Sequence, residues 1–197
     1  MTPLDILAIS GSLRSGSFNS ALVRAAQRHA PDGIDVTIYD GLRDIPPYDQ
    51  DLDADEALPA TVADLRSRIF AADGLLISTP EYNYGVPGAL KNALDWASRP
   101  AATSSLLRRP IAIMGAAPTN FGSVRAQIQL RQLFLWTDSR VVTKPEVAVF
   151  KAQDRVGPDG EISDETTIEL VQQLLGALAD LHAVTAAEHD LHAAAAR

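Results

Sequence analysis

An α/β fold built on a parallel sheet, with helices over both faces, is what this sequence predicts. Two observations carry the prediction. Residues 4–9, 75–78 and 111–116 form short runs that are apolar almost throughout, as strands buried on both faces are. Each run is followed by a longer segment with helical spacing of apolar residues, so strand and helix alternate along the chain.

Taken in order, residues 4–9 are the first strand and residues 19–30 the first helix. Ile34–Tyr39 alternates apolar with polar residues and reads as a second strand nearer an edge. Residues 40–57 are polar, acidic and carry Pro46 and Pro47, which predicts a long loop. Pro59 suits the first turn of a helix that continues to residue 72. Asp73 and Gly74 end it before the third strand. Pro87 opens a helix over residues 88–97, residues 111–116 are the fourth strand, and residues 123–136 the next helix. Residues 141–142 and 147–150 belong to a fifth strand or its extension. Asp164 caps a last helix that runs into an alanine-rich end.

The chain has 197 residues, 46% hydrophobic and 21% charged, which suits one globular domain over residues 1–185 with a helical or frayed tail over 186–197. It has no cysteine, so disulfides, thiolate metal sites and cysteine nucleophiles are excluded. The first residues lack the pattern of a signal peptide, and no run approaches the roughly 20 apolar residues of a membrane span. A cytoplasmic protein without membrane contact is expected. The net charge of −8 opposes general nucleic-acid binding. Arg14, Arg99, Arg108 and Arg109 are candidates for one basic pocket on an acidic body.

Between the first strand and first helix lie Gly11, Gly16, Ser10, Ser12, Ser15, Ser17 and Arg14, with Asn19 just beyond and no acidic residue among them. Glycine frees the backbone, and hydroxyls and amides at a helix start favour an anion. The loop therefore reads as a phosphate cradle; turn geometry and helix capping alone are the competing explanation. It matches neither G-x-x-x-x-G-K-[ST] nor G-x-G-x-x-G. A second loaded stretch, residues 80–96, has prolines and glycines that fix its backbone, Tyr82 and Tyr84 as aromatic surface, and Asn83 as donor and acceptor. A planar heterocycle suits it; Tyr84 reads equally as a rim-packing residue. Trp96 reads as core, and Lys91 with Asp95 as a surface pair. Ligands of parallel α/β sheets sit beyond the carboxyl ends of the strands, where these loops and the one after the fourth strand converge.

G-S-L-R-x-x-S-x-N over residues 11–19, P-E-Y-N-x-x-x-P-G-x-L-K-N-A-x-D-W over 80–96 and G-x-x-R-A-Q over 122–127 together resemble the NAD(P)H-dependent FMN reductases of flavodoxin-like fold. That group includes quinone, chromate and azo-dye reductases, and the likeness spans roughly residues 4–150. It implies a three-layer sandwich with a five-stranded parallel sheet in the order 2-1-3-4-5. It implies that Ser10, Ser12, Arg14, Ser17 and Asn19 hold the FMN phosphate and that Glu81, Tyr82 and Asn83 meet the isoalloxazine ring. Phe18, Pro80, Ala116 and Thr119 complete the implied cofactor-binding set. Arg125 matches a residue near the subunit contact of relatives. Residues 116–121 depart from the serine- and glycine-rich turn usual there, with Thr119 or Asn120 as replacement donors.

The resemblance further implies a ping-pong cycle in which NADPH or NADH gives a hydride to flavin N5 and an oxidised small molecule then takes its place. Quinones, free flavin, azo dyes, nitroaromatics and chromate are the acceptor classes. No protein nucleophile, catalytic side chain or metal is required. His29 ends a helix, and His182, His189 and His192 lie in the last helix, away from the expected site. A homodimer or homotetramer is expected, with residues 123–136 and 99–109 as interface candidates. Two competing readings are a flavodoxin-type electron carrier with protein partners and an enzyme of the same fold with another phosphate ligand.

Overall fold

The computed structural model describes residues 2–54 and 56–195, with side chains as far as Glu188. β1 (Leu4–Ser10) leads through α1 (Phe18–Arg28) to β2 (Ile34–Tyr39), and α2 (Ala60–Ala71) leads to β3 (Gly74–Ser78). Then come α3 (Gly88–Ala97), β4 (Pro110–Ala116), α4 (Val124–Trp136), the short strands β5 (Arg140–Val141) and β6 (Val147–Val149), and α5 (Glu165–Ala195). The sheet is parallel in the order β2-β1-β3-β4-β5, with β2 at the edge. The expected fifth strand comes in two pieces, β5 on the start of β4 and β6 on its end. Residues Ser10, Ser78 and Met114 are register partners, so β1, β3 and β4 finish side by side.

Neighbouring strand residues point to opposite faces, and both faces are covered. Ile6, Ala8, Leu76 and Met114 pack under α1 and α5 with Leu22 and Leu174. Leu7, Ile9, Leu75, Ile77 and Ile113 pack under α2, α3 and α4 with Leu65, Leu94, Trp96 and Phe134. Each such side chain contributes about 1.5–3 kcal/mol on burial. Trp96 is core, as its position predicts, and its indole N–H donates to the Pro46 carbonyl at 2.8 Å.

That bond begins to explain the long loop after β2. It holds two 3₁₀ turns, Gly41–Asp44 and Gln50–Leu52. Asn92 of α3 accepts from Tyr48 N at 2.7 Å and donates to the Pro46 carbonyl at 2.8 Å, so the loop is tied down from the helix below. Asp53 pairs with Arg66 at 2.7 Å. α1 stops at Arg28, two residues early, with His29 as its C-cap and Pro31 barring continuation.

α5 amends one expectation. Its segment Glu165–Glu188 has the length and the mean hydropathy, 1.2, of a membrane-crossing helix. Val171, Leu174, Leu175 and Leu178 of that segment are buried in the core cluster under the sheet. Asp164 caps this helix, accepting from Thr167 N at 2.9 Å and from its hydroxyl at 2.6 Å. The last two residues of the expected tail, and the side chains of His189 and His192, lie outside the described residues.

Candidate active site

Three loops meet at the shared carboxyl edge of β1, β3 and β4, and Asn19 stitches them together. This residue is 3% exposed. Its Oδ1 accepts from Ser78 Oγ and from Ala116 N, both at 3.0 Å, and its Nδ2 donates to the Ala116 carbonyl at 3.0 Å. The first turn of α1 is thereby bolted to the ends of β3 and β4. The Asn19 amide thus shapes the cradle by joining these ends, with one Nδ2 hydrogen used on Ala116.

The serine loop organises itself locally. Ser17 caps α1, its Oγ accepting from Asn19 N at 3.1 Å and from Ser20 N at 3.2 Å. Ser10 Oγ bonds Ser20 Oγ at 2.9 Å, and Ser12 and Arg14 make weak backbone contacts of 3.4 Å to Ser10 and Ser12 hydroxyls. Neither Gly11 nor Gly16 has a positive φ. Gly11 is required by proximity instead, because a Cβ there would lie 2.8 Å from Leu90 Cδ2 and 3.2 Å from Pro80 Cδ. The exposed guanidinium of Arg14 lies 5.4 Å from the Phe18 ring centroid.

A cavity of about 360 Å³ opens beside this loop, lined by Arg14, Arg24 and Arg43, by Ser10, Ser12, Ser15 and Ser20, and by one carboxylate, Asp40. Arg24 pairs with Glu161 at 2.7 Å. Arg14 and Arg43 have no carboxylate partner among the described residues, and Arg43 Nη2 donates to the Leu13 carbonyl at 2.5 Å. Tyr39, also on the lining, has its hydroxyl pushed up to about 12, chiefly by burial and also by Asp64, so it stays neutral. The basic pocket thus differs from the expected one. Arg108 and Arg109 precede β4, at the opposite edge of the sheet from Arg14, because parallel strands all start at that edge. Arg108 pairs there with Asp138 at 3.1 Å, while Arg109 is bonded to the carbonyls of Phe70, Ala72 and Ser105, its burial lowering its pKa. Arg24 and Arg43 line the cavity with Arg14 instead.

The loop after β3 is built differently. Pro80 is buried against Gly11, and Thr79 Oγ1 donates to its carbonyl at 2.8 Å. Tyr82 and Gly85 pair through both backbone bonds, at 3.1 and 3.0 Å, around Asn83 at φ 50° and Tyr84 at φ 66°. Both central residues are left-handed without being glycine, which is unusual for a tyrosine. Tyr82 and Tyr84 are exposed, so Tyr84 does not pack on the rim. The Glu81 carboxylate turns to α4. It accepts from Arg125 N at 2.9 Å and Ala126 N at 3.4 Å, and pairs with Arg125 Nη1 at 2.5 Å. Ser123 occupies the N-cap position of α4 in a left-handed conformation without capping it, so Glu81 supplies the cap from another loop. The Arg125 guanidinium lies over the ring of Tyr84, 4.0 Å from its centroid, and over that of Phe121, 4.4 Å from its centroid. Thr119 and Asn120 are both exposed, and the Thr119 carbonyl accepts from Lys151 N.

Geometry of this kind has relatives. The family model described as NADPH-dependent FMN reductase matches residues 4–154. The chain belongs to the NADPH-dependent FMN reductase family. It is 44% identical over 175 residues to an NAD(P)H-dependent FMN reductase of Pseudomonas aeruginosa, covering 89% of this chain and 93% of that one. It is 41% identical to a quinone reductase of Escherichia coli, over 84% and 88% of the two chains. The solved flavoenzyme NAD(P)H:(acceptor) oxidoreductase FerB of Paracoccus denitrificans superposes with a TM-score of 0.82 at 32% identity, over 92% of this chain and 98% of that one. Membership in the FMN reductase family makes the chain an oxidoreductase with FMN and NAD(P)H as its cofactors. The residues present fit that group: the serine loop supplies hydroxyls and the Arg14 guanidinium, and Arg43 from the loop after β2 lines the same cavity. Neither arginine has a carboxylate partner among the described residues, a donor set suited to a phosphate monoester.

Proposed function

We propose that this chain holds FMN with its phosphate in the serine loop and its ring against residues 80–83, and reduces quinones at the expense of NAD(P)H. The observation that carries the reading is the convergence of the three loops on one edge. The anion-seeking loop, the rigid turn and the end of β4 are joined there by Asn19. When bound, FMN supplies hydride chemistry, from NADPH or NADH and on to a quinone, free flavin, azo, nitro or chromate acceptor in a ping-pong cycle.

The chain's own residues bind and orient. Ser10, Ser12, Ser17 and Arg14 offer donors to the phosphate, and the start of α1 adds its dipole. Phe18 supports Arg14. Pro80, Tyr82 and Asn83 present backbone and aromatic surface to the ring, and preorganised amides there favour negative charge on it. Glu81 holds α4 and the turn in one arrangement, and Ala116 and Thr119 border the far side. No acid–base side chain is needed: His29 caps a helix, and His182 Nδ1 lies 3.1 Å from the Asp73 carbonyl, at the opposite edge.

The reading includes a homodimer or homotetramer in the cytoplasm. Val124, Ile128, Leu135 and Trp136 expose an apolar face on α4, with Leu135 and Trp136 78% and 71% exposed. Ile128→Glu is expected to lower the mass measured by light scattering. The deciding experiment is a visible spectrum of purified protein with added FMN, followed by anaerobic NADPH and then a quinone. Bound flavin that bleaches and is restored by quinone is expected. Binding without bleaching by either nucleotide would favour the electron carrier, which the net charge of −8 also suits. No flavin binding would leave the serine loop to another phosphate ligand.

A further inference from the structure

The turn over residues 82–85 is held in place from outside. Two-residue hairpin turns need both central residues left-handed, and the second is usually glycine. Here the second is Tyr84, at φ 66°, and the glycine comes one residue later, where φ is not positive. A left-handed tyrosine persists only where its surroundings impose it.

Gln129 of α4 imposes it. Its Nε2 donates to the Tyr84 carbonyl at 3.2 Å and its Oε1 accepts from Val86 N at 3.2 Å. One side-chain amide thus bridges the backbone on both sides of Gly85. A Cβ at Gly85 would lie 3.3 Å from Gln129 Oε1, close enough to press on that bridge. Gln129 follows Arg125 by one helical turn, so both act from the same face of α4. Arg125 covers the Tyr84 ring while Gln129 holds its backbone.

We propose that Gln129 is a positioning residue for the flavin. Without touching the cofactor, it fixes the turn whose residues Tyr82 and Asn83 face the isoalloxazine ring. The inference rests on the FMN placement above, and its test separates the two. In the apo chain, Gln129→Ala is expected to speed hydrogen exchange at the Gly85 and Val86 amides while exchange in β1 and β4 stays as in the parent. With FMN added, the same variant binds flavin about tenfold more weakly, two hydrogen bonds being lost from the turn, and shifts the bound flavin's visible bands. Adding Tyr84→Gly, which makes an Asn-Gly turn that needs no outside support, restores both affinity and spectrum. Gln129→Glu keeps the acceptor for Val86 N and falls between parent and Gln129→Ala; it also serves if the alanine variant fails to fold. Unchanged exchange at residues 85 and 86 would overturn the clamp. Faster exchange with unaltered FMN affinity and spectrum would overturn the positioning role and leave the FMN reading standing. A parent chain that binds no FMN would remove the reading itself, and with it the flavin-positioning role.

Discussion

The two loops that frame the candidate site reach their shapes by opposite means. The serine loop is supported from within: Ser17 caps the helix that follows it, Ser10 bonds Ser20, and its glycines keep ordinary backbone angles. The turn after β3 is strained at Asn83 and Tyr84, and α4, more than 40 residues along the chain, holds it through Arg125 and Gln129. Locally satisfied loops bind what their side chains offer. A remotely held turn presents its backbone instead, and anything that moves α4 moves it too. The exposed apolar face of α4 makes subunit contact one such influence in the proposed oligomer.

Breaking the joint between the two loops should cost most. Asn19→Ala leaves Ser78 Oγ and both backbone groups of Ala116 without their partner, at about 1–3 kcal/mol for each stranded group. A loss of about 3 kcal/mol or more in urea unfolding, with the flavin site disordered from both sides, is expected. Second is the serine loop alone. In the proposed placement Arg14→Ala removes a charge-assisted bond of about 1.5–3 kcal/mol to the phosphate, so FMN is expected to bind roughly ten- to a hundred-fold more weakly by fluorescence titration. A variant that keeps its flavin and instead raises the KM for NADPH would reassign Arg14 to the nucleotide.

Third, removing one cap from each loop tests local against remote support. Ser17→Ala and Glu81→Ala should each lower stability by about 1 kcal/mol or more. Only Glu81→Ala should speed hydrogen exchange in the distant helix α4, because its carboxylate caps that helix from another loop. Smallest is an effect of pH. The hydroxyl cap of α1 does not titrate, whereas the Asp164 cap of α5 does. The Thr167 hydroxyl bond holds its carboxyl below the ordinary value of 3.8, aided by Arg155 and opposed by partial burial. A depressed pKa stabilises above the unfolded value and is lost as pH falls through the folded one. The stability gap between parent and Asp164→Asn should therefore close below pH 3.8, while that for Ser17→Ala stays constant.

Much of this was legible in the sequence. Apolar runs without alternation marked β1, β3 and β4, and the motif residues at 11–19 and 80–96 marked the edge where they act, because strand burial and turn chemistry depend on neighbours a few residues away. Helix α3 and strand β2 were delimited to the residue for the same reason. Tertiary structure alone decided the rest. It brought Arg43 rather than Arg108 to Arg14, turned Asn19 inward, gave Glu81 to α4 and set Gln129 against Tyr84. Each of these brings together residues at least 29 positions apart in the chain. Local propensity carries no record of such pairings. They exist only once the parallel sheet has brought its three strand ends to one edge.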